Sequence, residues 1–309
     1  MRYQLDRETP NQADKIAQGV FILLASVFAM AFADAMVKLV SSNLTVWQVF
    51  VSRSIFAIPC LLALGRIIGV SFQEIANRWI LLRSALLVLT WLAFYASLPV
   101  LDFSVAAVAV YSNPILTALL SALILGEAVS RRQWTGVLVG FAGVTVILKP
   151  GTEDFTPWVL LPLAAAALYS SAMVLTRSKC KDGNAVNLAL GLHGMFVITG
   201  SVATVVLLNI DLDPADVSVY PFLLGGWALM GRSDWLLMAF LGILSAAFFL
   251  GVARAYQIAP PQIIGTFDYG YLVSAAIWGF ILFAEKPDIL TLMGMTLIIT
   301  AGLLVAKQD

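Results

Sequence analysis

Charge is what this sequence has least of. Asp, Glu, Lys and Arg together make up 12% of its 309 residues, about half the share of an ordinary soluble domain. A water-soluble fold of this size needs more polar surface than that to cover its core. The scarcity excludes a soluble enzyme, a nucleic-acid binder and a disordered regulator. There are two cysteines, Cys60 in an apolar run and Cys180 in a basic loop, which give neither a disulfide framework nor a metal-ligand spacing. The single histidine, His193, leaves no acid–base constellation in reach. Phosphate loops, nucleophile elbows and zinc motifs are missing too, so no cofactor or metal is expected. Apolar side chains fill the chain instead, at 61% of residues and a mean hydropathy of +0.93.

A spanning helix takes roughly 20 apolar residues, so ten of them would use nearly the whole apolar total. Runs bounded by charge, Gly or Pro fall at about 17–40, 46–65, 79–98, 104–125, 134–149, 157–176, 186–209, 234–257, 262–284 and 288–306. A barrel would show ten-residue alternation, so the fold class is an all-α integral membrane protein. Residues 1–16 form a tail of mixed sign, which argues against reading Ala31-Phe32-Ala33 as the cleavage site of a leader. Tyr220–Met230 is too short to span and is expected at the membrane interface. With the N-terminus inside, eleven Lys and Arg fall on the cytoplasmic side, against three (Lys149, Arg232, Lys286) on the other. Both termini are therefore expected in the cytoplasm.

The halves resemble each other. A shift of 158 residues places Tyr111 on Tyr269, Ala118 on Ala276, Glu127 on Glu285, Gly136 on Gly294 and Lys149 on Lys307. Five spans per half is an odd number, so the repeats, 17–149 and 157–306, are expected to be inverted in the bilayer, as in secondary transporters.

Gly126-Glu127-Ala128-Val129-Ser130, Trp134-Thr135-Gly136 and Gly140-Phe141-Ala142-Gly143-Val144 resemble the acidic helix end and glycine-bearing fifth helix of the drug/metabolite transporter superfamily, EamA type. Ala284-Glu285-Lys286-Pro287 and Gly294 repeat the pattern more loosely. The resemblance implies a ten-helix carrier in the inner (plasma) membrane, with a central cavity and peripheral fifth and tenth helices. It implies transport of a small organic metabolite or drug by alternating access, no enzyme activity, and lipid and small molecule as the partners. Asp34, Lys38 and Arg53 also resemble a bacterial subgroup that includes vitamin and nucleoside-cofactor uptake carriers. An intramembrane enzyme, a channel or a non-transporting structural or signalling protein are the alternatives.

Ionisable groups inside spans are expensive and mark function by default. Asp34 and Arg53 are expected at similar depth below the outer face, as a gate, a substrate contact or a structural clamp. Lys38, spaced i,i+4 from Asp34, either pairs with it or snorkels outward. Asp268, Arg254 and His193 are expected to form the inner counterpart, with a packing role for His193 and snorkelling for Arg254 left open. Arg83 is read as snorkelling. Tyr111-Ser112-Asn113-Pro114 interrupts the fourth span, because proline removes a hydrogen bond. Asp268-Tyr269-Gly270-Tyr271 is its flexible match in the ninth. Trp91 and Tyr95 are candidate stacking residues, while Trp278 is read as packing or lipid-facing. Glu127 and Glu285 are read as structural helix-end residues, and Asp34 or Asp268 as the carrier of a coupling proton.

Overall fold

Long apolar runs with no water around them must satisfy their backbone internally, and helices do so. A computed structural model describes residues 12–126, 131–148 and 156–306. Its helices are α1 (Gln12–Val40), α2 (Val46–Ile67), α3 (Arg78–Ser97), α4 (Phe103–Val110), α5 (Asn113–Leu125), α6 (Arg131–Leu148) and α7 (Leu160–Lys179). They continue with α8 (Ala185–Leu208), α9 (Pro214–Val219), α10 (Pro221–Leu224), α11 (Arg232–Ile258), α12 (Pro261–Phe267), α13 (Gly270–Phe283) and α14 (Ile289–Ala306). No strand occurs among the described residues. Glu127, Lys149 and Lys307, used above for the repeat, lie outside them, as do the first 11 residues of the tail.

Among the described residues, eight helical stretches are long and apolar enough to cross a membrane. Two of them, Val105–Leu125 and Ile263–Phe283, each join two helices across a break. The helices α6 and α14 carry shorter apolar stretches, Trp134–Gly143 and Ile289–Ala301. The chain is an all-α, multi-span membrane protein. Phe21, Leu138 and Phe141 expose most of their surface, as side chains facing lipid would.

Polar side chains start several helices by accepting the first free N–H groups. Thr45 does so for α2, Asn77 for α3 and Asn184 for α8. Two helices that follow breaks end in left-handed residues: Gly126 after α5 at φ 72° and Ala284 after α13 at φ 55°. At Ala284 the conformation carries a steric cost of about 1–2 kcal/mol, and it turns the chain directly into Glu285.

Packing sets α6 against α14, while α1, α2, α3, α7, α8 and α11 form the body, with the broken helices wedged among them. Glycine lets α2 sit deep between its neighbours. A Cβ on Gly200 of α8 would lie 2.7 Å from the Trp47 carbonyl oxygen, and one on Gly242 of α11 2.4 Å from that of Arg53. The stretch 220–230 is tied to α2. Trp47 donates to the Leu223 carbonyl at 2.8 Å, and the buried Gln48 amide makes two hydrogen bonds with the Ala228 backbone, at 2.7 and 3.1 Å. These bonds draw the stretch over one end of the bundle.

Gly242→Ala should lower stability by about 1–3 kcal/mol, the cost of overpacking a close crossing. Gly194→Ala, whose Cβ would meet nothing within 4 Å, should be neutral or slightly stabilising. Melting of both variants in detergent checks this, and equal losses would contradict it.

Candidate functional site

Both broken spans place their turns at the centre of the bundle. Pro114 lies in the first turn of α5, where its missing N–H costs least, after Tyr111 and Ser112 have left the helix of α4. Asp268 and Tyr269 make the corresponding turn between α12 and α13. Tyr111 from one turn stacks on Tyr271, just past the other, with centroids 4.4 Å apart and planes 15° from parallel.

Beside this stack Asp34 of α1 is fully buried, and two phenols satisfy it. Tyr95 of α3 donates to Oδ1 at 2.8 Å and Tyr271 of α13 to Oδ2 at 2.9 Å. Arg53 of α2 does not reach the carboxylate. Its Nη1 donates to the Tyr95 oxygen at 3.1 Å, so one hydroxyl stands between the two charges. The rest of the guanidinium lies among rings, 5.3 Å from the centroid of Phe196 and 5.9 Å from those of Tyr95 and Phe249. Rings attract a cation even without hydrogen bonds, yet Nε and Nη2 of this buried arginine have no partner.

His193 belongs to the Arg53 side of the bundle, not with Asp268 and Arg254. Its Nδ1 shares a hydrogen bond of 3.0 Å with Ser54, and its ring packs on Phe196 and Phe249. Asp268, also buried, accepts from Tyr256 of α11 through Oδ2 and leaves Oδ1 unpartnered. Arg254 is exposed and lines a space for water of about 740 Å³ with Glu74 and Asp182, at the bundle end where α2 stops and α8 starts. The expected inner cluster is therefore three separate sites.

Between the breaks lies a cavity lined by Asp34, Trp91, Tyr111, Asn113, Tyr169 and Tyr271, among others. Its volume is only about 20 Å³. That is room for roughly one water. Trp91 Nε1, Asn113 Oδ1 and the Tyr169 hydroxyl are buried there without partners. Unpaired buried donors and acceptors are costly and favour an incoming ligand that satisfies them. Sequence reasoning did not single out Tyr169, Tyr256, Phe196 or Phe249. For the two tyrosines the available signal was a phenol inside an apolar run, which needs a hydrogen-bond partner once buried.

Lys38 neither pairs with Asp34 nor snorkels. Its Nζ binds Glu285 at 2.9 Å and the Leu101 carbonyl at 2.9 Å, and Glu285 also accepts from the Phe103 N–H at 2.9 Å. Glu285 is thus more than a helix end: with Lys38 it ties α1, the start of α4 and the end of α13 together. Arg83 does not snorkel either. It is 1% exposed and donates to Thr176 and the Leu188 carbonyl, linking α3 to α7 and α8. Trp278 is half-buried and packs edge-on against Phe32 at 4.7 Å.

A multi-span helical bundle with a small cavity between two broken helices is built as a membrane transport protein. Residues 17–149 match the model of the EamA-like transporter family. The S-adenosylmethionine uptake transporter of Rickettsia prowazekii is 24% identical over 292 residues, covering 94% of this chain and 93% of its own. The pseudopaline exporter of Pseudomonas aeruginosa is 24% identical over 295 residues, covering 95% and 98%. A riboflavin transporter of Vibrio cholerae is 25% identical over 199 residues, 64% of this chain and 60% of its own. A solved crystal structure shares the fold at a TM-score of 0.65 and 18% identity, covering 94% of this chain and 96% of its own.

The Lys38–Glu285 tie predicts a change in access. Glu285→Gln should raise labelling of Ser112→Cys by an impermeant maleimide from the side of residues 41–45. The expected rise is roughly fivefold, matching a pair worth about 1 kcal/mol. The exchange Lys38→Glu with Glu285→Lys should restore low labelling. Equal labelling in all three backgrounds would leave the pair without a role in access.

Proposed function

We propose that this transporter is a secondary carrier that moves a small organic metabolite by alternating access, binding it in the cavity between the broken helices. The observation that carries the reading is the convergence of Asp34, Trp91, Asn113 and Tyr169 on one small space, three of them with polar atoms left unpartnered. A buried carboxylate beside stacked rings suits a solute with a flat ring and a polar or positive group. In this reading α6 and α14 complete ten spans in two inverted repeats. The packing pairs support it: α1 with α11 and α3 with α7 exchange under the repeat, as do α2 with α11 and α3 with α8. Both termini face the cytoplasm, on the charge count, in the inner membrane. Lys38 and Glu285 then gate the outer side, and the space beside Arg254 opens to the cytoplasm. Transport is coupled to a small monovalent cation, the proton being the first to test. Because one similar protein is an uptake transporter and another an exporter, kinship alone carries no direction.

The test is a thermal-shift screen of metabolites on the purified chain, with S-adenosylmethionine and riboflavin as first probes. Flux of each stabilising compound into proteoliposomes then follows. Saturable flux is expected, with kcat/KM reduced at least tenfold, about 1.4 kcal/mol, by Asp34→Asn or Trp91→Ala. Flux that stays linear with concentration, or that ignores both substitutions, would contradict the proposal.

A further inference from the structure

We infer that Asp268 is the binding point of a small monovalent cation, a proton or a sodium ion, held where the two helix breaks meet. The use of that ion rests on the carrier reading, but its binding is argued from the site itself. The two central carboxylates are held in different ways. Asp34 has both oxygens occupied by phenols and a guanidinium one hydroxyl away. Asp268 is 1% exposed, has Tyr256 on one oxygen and nothing on the other. An isolated carboxylate in a bundle of low dielectric costs several kcal/mol while charged and unpaired, and a bound cation removes that cost.

The groups facing Asp268 are neutral. Tyr256 comes from α11, and Tyr111 at the first break, Tyr169 of α7 and Tyr269 at its own turn lie within electrostatic reach. The helices α5 and α14, which pack on α12, carry no titratable side chain. Of the basic residues on neighbouring helices, Arg177 of α7 is given to the Gln257 carbonyl, and Arg254 of α11 is exposed at the open end of the bundle. On α1, Lys38 is paired with Glu285, and Asp34 is occupied as described.

Acceptors are plentiful at the same junction. A Cβ on Gly265, in the turn of helix before Asp268, would stand 3.6 Å from the Tyr256 hydroxyl and 3.8 Å from Pro114 Cα, so the first break lies against α12. Asn113 Oδ1 and the hydroxyls of Tyr169 and Tyr269 are buried there without partners. Pro114 returns no N–H to the Val110 carbonyl four residues back. Both α4 and α12 end here, and helix C-termini are negative poles. Carbonyls and carboxylates at broken helices are the groups that hold coupling ions in carriers. Size and charge set the class. The cavity that Tyr111 and Tyr169 line has a volume of about 20 Å³, which bars an organic cation from it. No group of three or more His, Cys, Asp or Glu among the described residues offers the charge that a multivalent metal needs.

The experiment is a melting series on the full-length purified chain in detergent. Sodium chloride replaces choline chloride at pH 8, and in a second arm the pH falls from 8 to 6 in choline chloride alone. Saturating cation should raise the melting temperature of the native chain by about 2–5 °C. A rise in the first arm identifies sodium, and a rise in the second alone identifies the proton. Asp268→Asn should lose the responsive arm, and Asp34→Asn should keep it. Tyr256→Phe, which removes the one donor on the carboxylate, should reach half its response at a several-fold lower sodium or proton concentration. A native chain that answers to neither cation would overturn the inference. So would Asp268→Asn responding as the native chain does, or Tyr256→Phe with an unshifted midpoint. None of these readings uses solute flux, so failure of a solute to move leaves them intact.

Discussion

Burying a carboxylate and a guanidinium in one lipid-embedded bundle fixes where four of its helices stand. Each ion costs several kcal/mol to take out of water, repaid only by good geometry. Asp34 on α1 obtains that geometry from Tyr95 on α3 and Tyr271 on α13, and Arg53 on α2 shares the Tyr95 hydroxyl. Displacing any of these helices would break a hydrogen bond to a charge that has no water to replace it. The close crossing at Gly242 serves the same end, because it seats α11 directly on the backbone of Arg53. Phe249 of that helix then lies beside the guanidinium.

The two ends of the bundle differ. Near Asp34 the chain is tied by Lys38 and Glu285 and covered by the segment that Gln48 holds. At the other end, a space of about 740 Å³ lies beside Arg254. A carrier needs two such arrangements within a few kcal/mol of each other. Ion pairs suit that role because attraction and desolvation nearly cancel in them.

Much of the architecture was legible in the sequence because lipid imposes a strict rule on backbone groups. Charge and proline bounded the spans, and Pro114 marked a break that the chain does contain. The common depth of Asp34 and Arg53 was legible too, since the Tyr95 hydroxyl joins them in one network. Rotation about the helix axis was harder to read. Lys38 is spaced correctly for Asp34, yet its longer side chain reaches Glu285, 247 positions away in sequence. His193 was grouped by depth with Asp268, whereas the face of α8 that bears it turns toward Ser54 and Arg53. Arg83, one turn into its span, was expected to reach water, but Thr176 on α7 offered a closer partner. Tyr169 and Tyr256 look like ordinary apolar filling until packing leaves their hydroxyls facing Asp268.

Whether the Tyr95 hydroxyl joins Asp34 and Arg53 into one unit is open to a single direct measurement. This is a double-mutant cycle of Asp34→Asn and Arg53→Gln, read by unfolding in detergent, with and without Tyr95→Phe. Removing either charge strands the other, so the double variant should lose less stability than the two single losses combined. The expected coupling is about 1–3 kcal/mol, and it should vanish in the Tyr95→Phe background. Additivity within about 0.5 kcal/mol with Tyr95 intact would mean that the two charges are buried independently, and the bundle would then owe its arrangement to packing alone.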